Sequence, residues 1–157
     1  MFTRNGRAIT ARGTKPVCPY QHKFENTYLF GAFSAINGNS FLLELPFCNT
    51  ETFQVFLNEF AKENPTELKV MVLDNGAFHK AQRLEIPKNI VMVFLPPYSP
   101  ELNPAEKVWW LLKREFVCMT FENMEQLQDH IDKSLKKTIN IETIKSLCSF
   151  EYLSGIF

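Results

Sequence analysis

The sequence predicts one α/β domain in which helices cover a mixed sheet. Short apolar runs rich in branched residues, at 70–73 and 90–95, have the length and composition of buried strands. Longer segments before and after them carry apolar residues at helical spacing. With 157 residues, 45% of them hydrophobic and 22% charged, the chain has the size and composition of a single globular core.

Two aromatic and apolar runs, residues 28–36 and 40–45, predict the first two strands. Asn37 and Gly38 join them, and this pair is a strong signal for a tight turn because both residues tolerate positive φ. We therefore expect an antiparallel hairpin ahead of the first helix.

Four later segments have the pattern of amphipathic helices. The first is expected to be capped by residue 49 or 50 and to stop at residues 64–65, where a proline follows asparagine. A second should run from residue 104 to about 116, a third should begin at residue 123, and a short one should span about 141–147. The residues expected on the inner face of the first helix are Phe53, Phe56, Leu57 and Phe60.

Two acids lie at the ends of these predicted elements. Asp74 comes at the end of the strand at 70–73, and Glu106 lies in the first turn of the helix that starts at Pro104. Open α/β sheets place their sites at the carboxyl ends of parallel strands, so both carboxylates could converge on one cation. Each acid has a purely structural alternative. Asp74 could stabilise an Asp-Asn-Gly turn, and Glu106 could complete a capping box with Asn103.

The charge distribution is uneven although the net charge is zero. No acid precedes Glu25, and the same stretch carries several cations. This basic stretch is equally compatible with a solvated edge and with phosphate contacts. The cations are Arg4, Arg7, Arg12, Lys15 and Lys23.

The four cysteines and the hydropathy pattern indicate the cellular compartment of the protein. Cys18, Cys48, Cys118 and Cys148 are widely spaced and form no zinc-binding pattern, so reduced thiols are expected. No apolar run approaches the roughly 20 residues of a membrane span, and no signal peptide is visible. These features predict a soluble, intracellular protein.

The stretch from residue 70 to 116 resembles the DDE domain of the IS630/Tc1/mariner transposase superfamily. The matching residues are Asp74-Asn75, His79, the block LPPYSPELNP at 95–104, Glu106, Trp109 and Lys113. Weaker likeness extends upstream through residues 13–16, 31–32 and 48–50. The resemblance therefore covers most of the chain, and its proline-rich block is highly specific.

The resemblance implies a ribonuclease-H-like (retroviral-integrase-like) mixed sheet flanked by helices. It makes Asp74 and Glu106 catalytic ligands of a site for two Mg²⁺ or Mn²⁺ ions, which prefer oxygen donors. The implied reaction is cleavage at transposon ends followed by strand transfer, so the partners are the terminal inverted repeats and target DNA. His79 and Lys113 are expected to line the site or contact DNA, and Trp109 and Trp110 to pack inside. A homodimer, a location at the nucleoid and no membrane partner are also expected.

One departure from the family pattern matters. The family's first Asp would fall just before Met1, together with most of the first strand and the helix-turn-helix domain. We therefore expect an incomplete catalytic domain that is inactive alone, with unpaired edges on the hairpin and on the strand at 70–73. The alternative from a different class is a catalytically inactive remnant that acts as a nucleic-acid-binding or interaction module.

Overall fold

The computed structural model describes Arg12, residues 26–76, His79, Ala81 and residues 83–150. The predicted DNA contacts at Arg4, Arg7 and Lys15 lie outside these residues. Within them the chain forms a mixed α/β structure with two small sheets and four α-helices. The predicted fold class is confirmed at that level.

The first two strands form the predicted antiparallel hairpin. β1 (Tyr28–Phe33) and β2 (Ser40–Leu45) pair so that Tyr28 lies opposite Leu45 and Phe33 opposite Ser40. Gly38 has φ 77°, which is the left-handed conformation expected from the Asn-Gly pair. However, β1 ends earlier than predicted, so residues 34–39 form a longer connection.

Glycine at position 38 is required by packing as well as by its conformation. A β-carbon there would lie 2.5 Å from the carbonyl oxygen of Ile141, so the turn approaches the start of the last helix too closely for any side chain. The turn is closed by the Ser34 N–H, which donates to the Asn39 carbonyl at 2.8 Å. The hydrogen bond closes the turn, and the close approach of Gly38 to Ile141 places the hairpin tip against the start of the last helix.

The first helix, α1 (Thr50–Lys62), begins at a full capping box. The Asn49 side chain accepts from the Thr52 N–H at 2.9 Å, and the Thr52 hydroxyl accepts from the Asn49 N–H at 3.1 Å. Each bond satisfies a backbone or side-chain group that the helix end would otherwise leave unpaired. The buried face consists of Phe53, Phe56 and Leu57, as the apolar stripe predicts.

β3 (Lys69–Leu73) and β4 (Ile90–Phe94) form a second, parallel sheet. In its register Lys69 lies opposite Ile90 and Leu73 opposite Phe94. Met71 and Ile90 are buried against the apolar face of α1 in one core cluster. The parallel arrangement places the carboxyl ends of both strands at one edge, where the candidate site lies.

The second half of the chain contains α2 (Pro104–Arg114), α3 (Met124–Thr138) and α4 (Ile141–Cys148), close to the predicted bounds. Two further buried clusters hold them together, and their buried members are Val108, Ile144 and Cys148 in one and Leu112, Phe116 and Ile131 in the other. Burial raises the pKa of the Cys148 thiol to about 11, so this thiol stays protonated and unreactive at neutral pH.

Trp109 connects α2 to the hairpin. Its ring meets Phe33 edge-on with centroids 5.3 Å apart, and a β-carbon at Gly31 would lie 2.8 Å from the indole. Gly31 therefore allows the tryptophan to lie directly on β1. Trp109 packs inside as expected, whereas the expectation for Trp110 is wrong, because 57% of its surface is exposed.

A second expectation also fails. Cys118 is disulfide-bonded, whereas Cys48 and Cys148 are free among the described residues. Spacing along the chain gives no distance between thiols, so the sequence could not reveal this bond. None of the described helices has the length and apolar character needed to cross a membrane.

Residues of both sheets line a groove of about 1100 Å³, including all residues of β1 and β3. The described strands form two separate two-stranded sheets, with no backbone ladder between them. Unpaired edges on the hairpin and on β3 stay a prediction.

Candidate metal centre

Asp74 directly follows β3 and lines the groove. Its Oδ1 accepts from the Gly76 N–H at 3.0 Å and lies 2.9 Å from Nδ1 of His79. The side chain is 58% exposed, and within the described residues Oδ2 has no partner. The Asp-Asn-Gly turn expected as a structural role is therefore present, and it still leaves one carboxylate oxygen free for a ligand.

Packing against the hydrophobic core fixes the position of the His79 side chain. Its side chain is only 12% exposed, and its ring packs against Phe53 with centroids 4.6 Å apart. Because Nδ1 faces the Asp74 carboxylate, the imidazole fixes the orientation of that side chain. His79 lines the groove beside Asp74, and its role in a functional site stays a prediction.

Asn75 has a role that sequence reasoning did not single out. Its side-chain amide donates to the Leu95 carbonyl, and the Leu95 N–H donates to the Leu73 carbonyl at 2.8 Å. These two bonds tie the carboxyl end of β3 to that of β4 just before Asp74. The Asp-Asn pair at the end of a predicted strand could have indicated this role. One residue of such a pair can serve the site while its neighbour holds the two strands together.

Glu106 lies in the first turn of α2, whose N-cap is Asn103. The Asn103 side chain accepts from the Ala105 N–H at 3.1 Å, and the Asn103 N–H donates to the Pro100 carbonyl at 3.0 Å. The reciprocal bond of a capping box is therefore replaced by a bond to the preceding 3₁₀ turn. Glu106 is exposed, and its carboxylate has no hydrogen bond or ion pair to any described residue.

Both candidate acids line the groove, as do Glu63 and Glu67, which precede β3. Asp74 reaches the groove from the end of β3, and Glu106 reaches it from the start of α2 together with Asn103 and Trp109. Within the described residues Oδ2 of Asp74 and the carboxylate of Glu106 have no partner, and carboxylate oxygens are the donors that Mg²⁺ and Mn²⁺ prefer. In the described part of the chain no group of three or more His, Cys, Asp or Glu could hold a metal. The donor chemistry fits a divalent ion, with these two residues as a partial ligand set.

The predicted DNA contacts are more dispersed. Lys113 lies in the last turn of α2 and is half-buried, and it is outside the groove. Arg12 is exposed. The structure therefore pairs Asp74 with His79 and places Asp74, His79 and Glu106 on one large groove, which Lys113 does not line.

Comparison with known proteins identifies the family of this chain. Residues 2–128 match the family model described as DDE superfamily endonuclease. A protein of Sinorhizobium fredii, named "Uncharacterized protein y4pE/y4sA", is 33% identical over 115 residues, which cover 72% of this chain and 85% of that protein. No solved structure matches the chain. The family match spans most of the sequence, including Asp74 and Glu106, so the chain belongs to the DDE superfamily of endonucleases.

Proposed function

We propose that this chain is a catalytic domain of a transposase related to the IS630/Tc1/mariner group, acting on DNA at transposon ends. Membership in an endonuclease family implies a DNA substrate and phosphodiester chemistry. The observation that supports the proposal is that Asp74, at the end of β3, and Glu106, at the start of α2, line one groove and keep carboxylate oxygens that no described residue occupies. The proposed reaction is cleavage at the terminal inverted repeats followed by strand transfer into target DNA.

Asp74 and Glu106 are the proposed ligands of Mg²⁺ or Mn²⁺, in a two-ion site. Bound divalent ions would supply positive charge that polarises the scissile phosphate and acidifies the attacking hydroxyl or water. The chain's own contribution is to hold the two acids in place. His79 orients Asp74, the Asn75 amide fixes the end of β3, and Asn103 caps the helix that carries Glu106.

Five cations are the proposed phosphate contacts. These are Arg4, Arg7, Arg12, Lys15 and Lys113. Such contacts neutralise phosphates without reading sequence, so DNA binding should weaken as salt rises. Because a transposon has two ends, we also propose that the active form is a homodimer located at the nucleoid.

A second function is favoured by one specific observation. The candidate ligands are two carboxylates, Asp74 and Glu106, and the described residues contain no cluster of three or more side chains that could hold a metal. Two carboxylates carry at most two negative charges, whereas two divalent ions carry four positive ones. The chain alone would then be inactive in cleavage and act as a nucleic-acid-binding or interaction module.

Metal binding tests the site assignment without requiring turnover. We expect Mn²⁺ titrated into the full chain to bind less tightly to Asp74→Asn and Glu106→Gln, by about 10-fold or more, because each change removes a charged oxygen donor. Glu101→Gln is the matched control, since Glu101 is an exposed acid in the neighbouring 3₁₀ turn and does not line the groove. If Glu106→Gln binds Mn²⁺ as the wild type does, Glu106 is not a ligand.

A further inference from the structure

Trp110 is an exposed aromatic side chain on the outer face of α2. It is 57% exposed, while Val108 and Leu112 on the inner face are almost fully buried. The packing of α2 against β1 is made by its neighbour Trp109, next to Phe33. Trp110 therefore contributes little to the core, and its ring is accessible to a ligand.

The ring of Trp110 is paired with a cation. The Arg114 guanidinium lies 5.1 Å from the indole centroid, one helical turn further along. Glu106, Trp110 and Arg114 follow one another at intervals of four residues, so they share one face of the helix. At about 1.5 Å rise per residue, the indole lies roughly 6 Å along the axis from the candidate metal ligand.

The charge on α2 indicates what this face binds. The helix carries Lys107, Lys113 and Arg114 against Glu106 as its one acid. Lys107 is itself held over the Phe150 ring at 4.0 Å, so cations and aromatic rings alternate along this surface. A polyanion with flat, apolar faces is complementary to such a surface, and single-stranded nucleic acid has both properties.

We propose that Trp110 stacks on an unpaired nucleobase of a DNA strand, and that Arg114 contacts a phosphate of the same strand. This inference rests on the proposed nuclease function and assigns a binding subsite beside its carboxylates. Bases inside a duplex are stacked on one another and cannot reach a protein ring, whereas a frayed or single-stranded nucleotide can. The subsite would therefore favour DNA whose ends are locally unpaired.

The test compares single-stranded and duplex DNA in the absence of divalent ions. Labelled oligothymidine and a blunt duplex of equal length are titrated with the full chain in EDTA, and anisotropy gives both dissociation constants. We expect Trp110→Ala to weaken oligothymidine binding about 10-fold, because stacking on one base accounts for an effect of this order. Duplex binding should remain unchanged, and Trp110→Phe should retain most of the single-strand affinity.

Two further variants separate stacking from charge and from general loss of an aromatic ring. Arg114→Ala should reduce the slope of log affinity against log salt by about 1, whereas Trp110→Ala should leave the slope unchanged. Phe47→Ala is the matched control, because Phe47 is a 62% exposed aromatic in the connection between β2 and α1. It should not change binding to either DNA.

Each other result overturns the proposal. Equal loss for single strand and duplex would make Trp110 part of a general contact, and no loss would make it irrelevant to nucleic acid. Failure of the wild-type chain to bind oligothymidine would also refute it, as would lower self-association of Trp110→Ala with unchanged DNA affinity. Failure of the proposed nuclease site is distinguishable, since it would appear in Mn²⁺ binding by Asp74→Asn and Glu106→Gln while the stacking effect persisted.

Discussion

Glu106→Gln is expected to reduce metal-dependent cleavage of transposon-end DNA by more than about 100-fold in any form of this protein that cuts. Residues that only support a metal ligand already cost 10–100-fold when changed, and a direct ligand should cost more. The fold should survive, because the Asn103 cap bonds Ala105 and Pro100 and does not use the Glu106 carboxylate. Cleavage rates and thermal melting of both proteins measure the two effects.

The same experiment contains its own control. Glu101→Gln removes an equal charge from the neighbouring 3₁₀ turn, so a general electrostatic effect on DNA would appear in both variants. Selective loss in Glu106→Gln supports a ligand. Equal loss in both variants, or full cleavage by Glu106→Gln, would show that Glu106 is a helix-start residue without a catalytic role.

Leu57→Ala is expected to destabilise the fold by about 3 kcal/mol. Leu57 is fully buried in the cluster formed by α1 and the β3–β4 sheet, where it packs with Phe53, Phe56 and Met71. Truncation removes apolar contacts and leaves a cavity that the surrounding rings cannot fill. Because this cluster holds β3, it also holds the strand end from which Asp74 projects. Urea unfolding followed by circular dichroism gives the free energy.

Val55→Ala is the matched control for that measurement. Val55 lies on the same helix but is 45% exposed, so its truncation should change the free energy of unfolding by about 0.5 kcal/mol or less. Alanine also favours the helix more than valine does. A similar loss for both variants would mean that the α1 cluster is not the core that stabilises this half of the molecule.

Much of the local structure follows directly from sequence periodicity and capping residues. The apolar stripe of α1 and the parallel strands at residues 69–73 and 90–94 appear close to their expected positions. These features depend on neighbours a few residues apart, so the chain itself encodes them. The hairpin was also predictable, because Gly38 adopts the positive φ that its turn requires.

Features that depend on distant contacts were not predictable. The length of the hairpin connection is set partly by the close approach of Gly38 to Ile141, which is far along the chain. The disulfide of Cys118 likewise depends on three-dimensional distance. Trp109 and Trp110 are adjacent in sequence, and only the packing of α2 shows that one lies on β1 while the other faces outward.

The candidate site was predictable in part. A strand-end acid and a helix-start acid were expected to share one end of the sheet; Asp74 does follow β3, Glu106 does lie in the first turn of α2, and their convergence on one metal stays a prediction. The sequence alone could not show whether Glu106 caps the helix, because Asn103 and Glu106 have the spacing of a capping box. The bond from Asn103 to Pro100 answers that question by giving the backbone N–H a different acceptor.

The most direct test of the central claim is the location of Mn²⁺ by anomalous diffraction from crystals of the chain grown or soaked with the ion. We expect an anomalous peak in the groove with carboxylate oxygens of both Asp74 and Glu106 as ligands. Ions of a two-metal site lie only about 4 Å apart, so both carboxylates must reach the same small volume. Carboxyl groups separated by more than about 10 Å, or a peak that neither acid contacts, would contradict it.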